Sequence, residues 1–338
     1  MKNNREWLER TLAHEECDAV PYNFLFSPRA LRAMEDHYGK DFLDSLSFPI
    51  RMGSPLGRKP LYADPDKYGP TIQDDYGVVW TTNPIDRGAP IGPCITESTL
   101  KGYTFPDPTQ EWRFQDLGAW CARNDGNYRV LWVGALWEQA TFMRGMEGLL
   151  LDVALHPAFV EALLDGIANW VLKTTEILLA RFPFECIAVS DDYGTQRAMI
   201  ISPADWRRFI KPRLKQIYAL AKRQGRACFH HSCGHIIPVI PDLIEIGLDI
   251  LHPIQPEAMD IARLKKEFGK DLTFCGGVRT QDFLPRASPD EVRQEVRRLK
   301  REMGRGGGYI LEPGITILAD VPPANIYALV DEARVPGR

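Results

Sequence analysis

From about residue 128 onward the chain repeats one pattern: a short β-rich run ends in polar side chains, and a stretch with apolar residues at helical spacing follows. The runs are 129-RVLWVGALW-137, 186-CIAVSDDYG-194, 226-RACFHHSCG-234, 248-LDILHPIQ-255, 272-LTFCGGV-278 and 307-GGYILEPG-314. Helical spacing covers 203–225 (with a kink or break expected near Pro212), 235–247, 260–269 and 289–304. The starts at 202-SPAD and 288-SPDE combine a Ser cap, a Pro in the first turn and early acids. Strands alternating with helices predict βαβ units on a parallel sheet. Adding 18-DAVPYNFLF-26 and 46-LSFPIRMGS-54 brings the strands to eight, which favours an α/β fold closed as a (β/α)8 TIM barrel over an open doubly wound sheet. No glycine-rich phosphate loop follows the first strand to support the open alternative. Residues 55–127 break the rhythm: Pro, Gly, Asp and aromatic residues dominate, with pieces such as 77-GVVWTT-82. This stretch reads as an irregular insertion, a lid over the barrel mouth, within one domain spanning 1–338.

Composition changes this picture little, with 44% hydrophobic and 25% charged residues as in ordinary globular proteins. A formal net charge of −4 argues against a nucleic-acid partner, which needs a concentrated basic surface. The basic run 293-RQEVRRLKREMGR-305 alternates with Glu at helical spacing and reads as a solvated helix face. The start of the chain is charged and amphipathic without a signal-type apolar stretch, and runs such as 147-EGLLLDVAL-155 are too short to span a membrane. Seven cysteines without framework spacing suit a reducing cytosol, so a cytoplasmic location is expected.

The candidate chemistry lies where a barrel places it, at the C-terminal ends of the strands. In 228-CFHHSCGHI-236 the extended period of two puts His231 and Cys233 on one face, with His230 and Ser232 on the other. A His-x-Cys pair suits zinc, and an open catalytic zinc asks for a third protein ligand. Cys275, a soft donor, and Glu312, an acid on an apolar strand, are the candidates; His252 is a further possible ligand that reads better as a neutral, hydrogen-bonded pocket residue. Asp191, Asp192 and Tyr193 end another strand. They suit proton transfer, substrate positioning or support of a metal-bound His, or alternatively cap the following turn. Trp137 and Glu138 offer an aromatic wall beside an acid, and Tyr22 and Asn23 sit near the first strand.

These residues carry a family likeness. The chain resembles the uroporphyrinogen decarboxylase superfamily, whose barrel also serves corrinoid- and thiol-dependent methyltransferases. The matching pieces are 134-GALWEQATFMRGMEGLLLDVALHPAFVEALLD-165, 202-SPADWRRFIKPRLKQI-217, 230-HHSCGHIIPVIPDLIEIGLDIL-251, 253-PIQPEAMDIARLKKEFG-269, 275-CGGVRTQDFLP-285 and 307-GGYILEPG-314. They cover most of 128–335, and the front third matches more loosely. The departures point away from the true decarboxylases. Their Arg-Gln-Ala-Gly-Arg-Tyr start is missing, Phe142 stands in 141-TFM-143 where their pocket Tyr would fall, and Pro313 replaces their late His. Without those groups a polyanionic tetrapyrrole would be poorly paired.

The resemblance implies the methyltransferase branch instead. Its His-x-Cys motif matches His231 and Cys233, while Ile315 stands where its later Cys would fall, leaving Glu312 or Cys275 as the third ligand. The expected activity is transfer of a methyl group from a small donor to a corrinoid protein, with zinc as Lewis acid and the corrinoid doing the hard chemistry. Tyr68, Tyr76 and Trp80 in the insertion suit a methoxylated aromatic donor, hence O-demethylation. Two other readings stand beside it: a metal-independent decarboxylase-like lyase using Asp191, Asp192 or Glu138, and a non-catalytic corrinoid- or tetrapyrrole-binding protein. Relatives occur as monomers and dimers, so a homodimer is compatible with the likeness.

Overall fold

The computed structural model describes residues 3–337 except 59, 61, 84 and 86. At those four positions the lid reading of 55–127 lies outside the described residues. Among the described residues ten strands follow one another: β1 (Ile50–Gly53), β2 (Thr71–Gln73), β3 (Val79–Thr81), β4 (Pro90–Gly92), β5 (Tyr128–Gly134), β6 (Cys186–Ser190), β7 (Ala227–His231), β8 (Ile250–Ile254), β9 (Thr273–Val278) and β10 (Tyr309–Pro313). Seven form one parallel sheet in the order β1-β5-β6-β7-β8-β9-β10, with helices around it. The sheet curls into an α/β barrel.

The expected eighth strand, 18–26, is present only as extended chain with two parallel bridges, Tyr22 to Leu311 and Phe26 to Ile317. Pro21 has no N–H to give a ladder, though its carbonyl accepts from Leu311. The segment reaches towards β1 through side chains: the Tyr22 ring meets Phe48 edge-on at 5.3 Å. The run expected over 129–137 also ends early. Gly134 at φ 136° turns the chain, and Trp137 opens a helix, Trp137–Arg144, instead of closing a strand.

Alternation along the strands separates two apolar clusters. Inside the barrel, Tyr128 and Val130 of β5 pack with Ile50, Cys186, Ala188, Phe229, Ile250, Cys275 and Ile310. Leu8, from the helix Asn4–Leu12, joins this cluster. Outside, Leu131, Val133 and their equivalents pack under the helical layer. The interior is therefore a filled core, and polar groups are confined to the strand ends beyond it.

The helices follow their sequence signals. Ser202 accepts from the Asp205 N–H at 3.1 Å, and Ser288 forms a complete capping box with Glu291, each cap worth about 1 kcal/mol. The 203–225 stretch divides into Pro203–Phe209 and Lys211–Arg223, because Pro212 cannot continue the preceding helix. The stretch 55–127 contains the antiparallel sheet β2-β3-β4, and Trp80 of β3 packs against Phe142 at 4.9 Å between ring centres. Among the described residues no helix is long and apolar enough to cross a membrane.

Candidate metal centre

The loops leaving β6 and β7 are held backbone to backbone. A Cβ on Gly234 (φ 81°) would meet the Gly194 carbonyl carbon at 2.4 Å, and one on Gly194 would meet the His235 nitrogen at 2.5 Å. Only glycine permits that approach. The contact brings 191-DDYG-194 beside 231-HSCG-234. The Asp191 N–H donates to the His231 carbonyl at 2.8 Å, and the Cys233 N–H donates to Asp192 Oδ1 at 2.7 Å.

Two clusters of potential ligands result. In the outer one, Asp192, His231 and Cys233 have their donor atoms within 4.8 Å of one another and are half-buried. His231 Nε2 lies 3.4 Å from Asp192 Oδ1 and 3.6 Å from Cys233 Sγ. In the inner one, His252, Cys275 and Glu312 are equally close and fully buried. Cys275 donates to Glu312 Oε2 at 2.7 Å, Asn23 donates to Oε1 at 3.0 Å, and His252 Nε2 lies 3.6 Å from Oε2. The two clusters touch where His231 Nδ1 and His252 Nδ1 approach to 2.9 Å. Glu312 and Cys275 thus gather around His252, and the acid beside His231 and Cys233 is Asp192.

Electrostatics separates the clusters further. Burial pushes Asp192 up, but His231 and the Cys233 N–H outweigh it and leave the carboxyl below its usual range. Burial disfavours His231's imidazolium, yet Asp192 and Cys233 together raise its pKa well above normal. The acid and the imidazole of the outer set therefore favour charge. Inside, burial pushes Glu312 up to about 8 against the pull of its hydrogen bonds from Cys275 and Asn23. Burial lowers His252 well below normal, with His231 adding to it, and raises Cys275, with Glu312 adding to that. The inner set favours neutrality.

The other candidates divide in the same way. Glu138 is at the mouth, within 3.3 Å of Ser190 Oγ, and burial followed by the Asp192 charge raises its pKa. Asp191 is fully buried and pushed up by burial to about 7. It accepts from the Glu138 N–H and the Tyr193 hydroxyl, each at 2.7 Å, so Asp191 and Tyr193 brace the start of the helix Trp137–Arg144. Trp137 is 0% exposed and sits in the outer core rather than lining the mouth as an aromatic wall, because it faces inward at the first turn of that helix. Tyr22 is likewise buried, its hydroxyl given to the Leu46 carbonyl, while neighbouring Asn23 reaches Glu312. Phe142 is half-buried beside Trp80, and Arg87 lies over both rings at 5.1 and 5.8 Å. Sequence reading missed Arg87, and also Trp132, whose ring lies 6.3 Å from His231 on the interior face. Trp132's even spacing from Tyr128 and Val130 was the available signal.

The comparisons with known proteins agree with this architecture. The uroporphyrinogen decarboxylase of Psychromonas ingrahamii is 24% identical over 256 residues, 71% of this chain and 68% of that protein. The enzyme of the same name from Thermus thermophilus is 27% identical over 135 residues, 39% of this chain and 37% of its own. A solved methyltransferase from Methanosarcina mazei superposes with a TM-score of 0.74 at 16% identity, covering 98% of both chains, and so shares the fold. The family model described as Uroporphyrinogen decarboxylase (URO-D) matches residues 131–335, the region that carries the end of β5, all of β6 to β10 and both ligand clusters, and with more than half its length inside that match the chain belongs to the uroporphyrinogen decarboxylase family.

Proposed function

We propose that the protein is a zinc-dependent methyltransferase that moves a methyl group from a small donor to a corrinoid carried by a partner protein. The observation that carries this reading is the outer cluster: a thiol, an imidazole and a carboxylate converge at the open end of the barrel and remain half-buried. That donor set fits a catalytic zinc, which takes three protein ligands and keeps one position for substrate. Asp192, His231 and Cys233 would hold it. Bound there, zinc would supply Lewis acidity to the atom from which the methyl group departs. The fold shared with a methyltransferase supports naming the transferred group.

The chain's own residues supply the rest. When the methyl group leaves an ether oxygen, that oxygen must take up a proton. Glu138, raised by burial and by Asp192, is placed to give it. Phe142, Trp80 and Trp132 offer aromatic surface suited to a methoxylated ring, which makes O-demethylation the specific form of the proposal. Residues 55–127 would act as a lid through Trp80 and Arg87. The expected partners are the methyl donor and the corrinoid protein.

The test is to incubate zinc-loaded protein with reduced cobalamin and a panel of methoxylated aromatics. Methylcobalamin should form with wild type and not with His231→Ala or Cys233→Ser. Zinc uptake without methyl transfer to any acceptor would refute the reading. A decarboxylase-like lyase is the second reading, favoured by the names of the sequence relatives. Release of carbon dioxide from a small carboxylated substrate by metal-free protein would establish it instead.

A further inference from the structure

Beneath the mouth, two imidazoles meet nitrogen to nitrogen: His231 Nδ1 and His252 Nδ1 are 2.9 Å apart. A hydrogen bond between them holds one proton, so one ring donates and the other accepts. A neutral imidazole, the form that ligates a metal, carries a single N–H. The donating ring therefore has a bare Nε2, and the accepting ring has its proton on Nε2. While that bond stands, the two Nε2 atoms cannot both be metal ligands. The outer and inner clusters are alternatives, although each contains one His, one Cys and one acid.

The surroundings decide between them. On the inner side, donors already converge on Glu312: the Cys275 thiol on Oε2 at 2.7 Å and the Asn23 amide on Oε1 at 3.0 Å. His252 Nε2 faces the same Oε2 at 3.6 Å. Cys275 and Asn23 already use the Glu312 oxygens as hydrogen-bond acceptors, and binding a cation there would require the acid, the thiol and the imidazole all to give up protons. On the outer side, His231 Nε2 faces a carboxylate oxygen and a sulfur at the open mouth.

We propose that His252 and Glu312 are positioning residues and not metal ligands. The chain Glu312–His252–His231 keeps one proton on His231 Nδ1, so that Nε2, whose own proton a metal displaces, is the atom presented to the site shared with Asp192 and Cys233. A carboxylate behind a ligating histidine is a common way to fix its tautomer and orientation. Here a second imidazole is interposed, which sets the acid one ring deeper in the barrel. The inference rests on the metal reading above for its purpose, while the place of the proton is a property of the protein itself.

The experiment measures zinc affinity and stoichiometry by competition with a chromophoric chelator for wild type, His252→Phe and His252→Gln. It is combined with ¹⁵N spectra of histidine-labelled, metal-free protein. Wild type and both variants should bind about one zinc per chain. His252→Phe keeps a ring but removes the acceptor, so its affinity should fall about 10–100-fold, as for loss of an outer-shell partner. His252→Gln offers an amide oxygen to the Nδ1 proton and should recover most of that loss. The spectra should show His231 Nδ1 protonated and His252 Nδ1 bare. Complete loss of zinc in His252→Phe, or a second zinc in wild type that this variant removes, would make His252 a ligand and overturn the proposal. Unchanged affinity in His252→Phe, or the proton found on His252 Nδ1, would overturn it too. If wild type takes up no zinc, the metal reading fails alone, and the nitrogen spectra still decide where the proton sits. If His252→Phe does not fold, His252→Gln and the spectra carry the same decision.

Discussion

The outer and inner clusters are built from the same three side-chain types on neighbouring strand ends, yet they differ in almost every physical respect. Asp192, His231 and Cys233 are half-buried, and their arrangement favours a charged acid and imidazole. His252, Cys275 and Glu312 are sealed in the barrel, where burial favours the neutral form of each. A count of potential ligands would score them equally. Solvent access and the location of the protons distinguish a site that can exchange a proton for a metal from one that is already internally hydrogen-bonded.

The sharpest way to break this comparison is to remove one thiol from each cluster. Cys233→Ser should abolish zinc uptake, a larger loss than the about 10–100-fold of an outer-shell change. Cys275→Ser keeps a donor for Glu312 and should leave binding nearly intact. Stability should show the opposite ranking. Glu312→Leu leaves Asn23 and Cys275 buried without their acceptor, at about 1–3 kcal/mol for each unpaired group, read by urea unfolding. Asp192→Ala, at the open end, should cost only about 1–2 kcal/mol, the net worth of its bond from Cys233 and its half-exposed pairing with His231.

A pH series sharpens the contrast. Because Glu312 rises from the usual 4.5 to about 8, the folded protein binds its proton more tightly than the unfolded chain does. That contribution to stability is full below about pH 4.5 and is lost as pH rises towards 8. Metal-free Glu312→Gln should lack this fall; an unchanged pH profile would contradict the assignment. The smallest effect concerns the wall of the mouth. Phe142→Ala should raise KM for an aromatic donor about fivefold, the size of a contact worth about 1 kcal/mol, with zinc content unchanged.

Much of this was legible in the sequence, for identifiable reasons. The period of two in 226-RACFHHSCG-234 separated the histidines correctly. His230 faces the helices and meets the Tyr218 hydroxyl at 2.8 Å, and His231 faces the barrel interior. Ser288 and Glu291 announced their helix because capping is local chemistry. What was not legible depends on contacts between distant segments. Asp192 joins Cys233 only because two loops meet at Gly194 and Gly234. Glu312 meets Cys275 because β10 pairs with β9 in a register that sets Ile310 opposite Cys275, with Glu312 one step further on the same face. Trp137 was misplaced because its strand stops at Gly134, a backbone turn that apolar patterning does not mark.

The most direct measurement is elemental analysis of untagged protein, purified without chelator, for wild type, Cys233→Ser and Cys275→Ser side by side. The account predicts about one zinc per chain in wild type and in Cys275→Ser, and none in Cys233→Ser. Zinc retained by Cys233→Ser and lost from Cys275→Ser would place the metal in the inner cluster and contradict it.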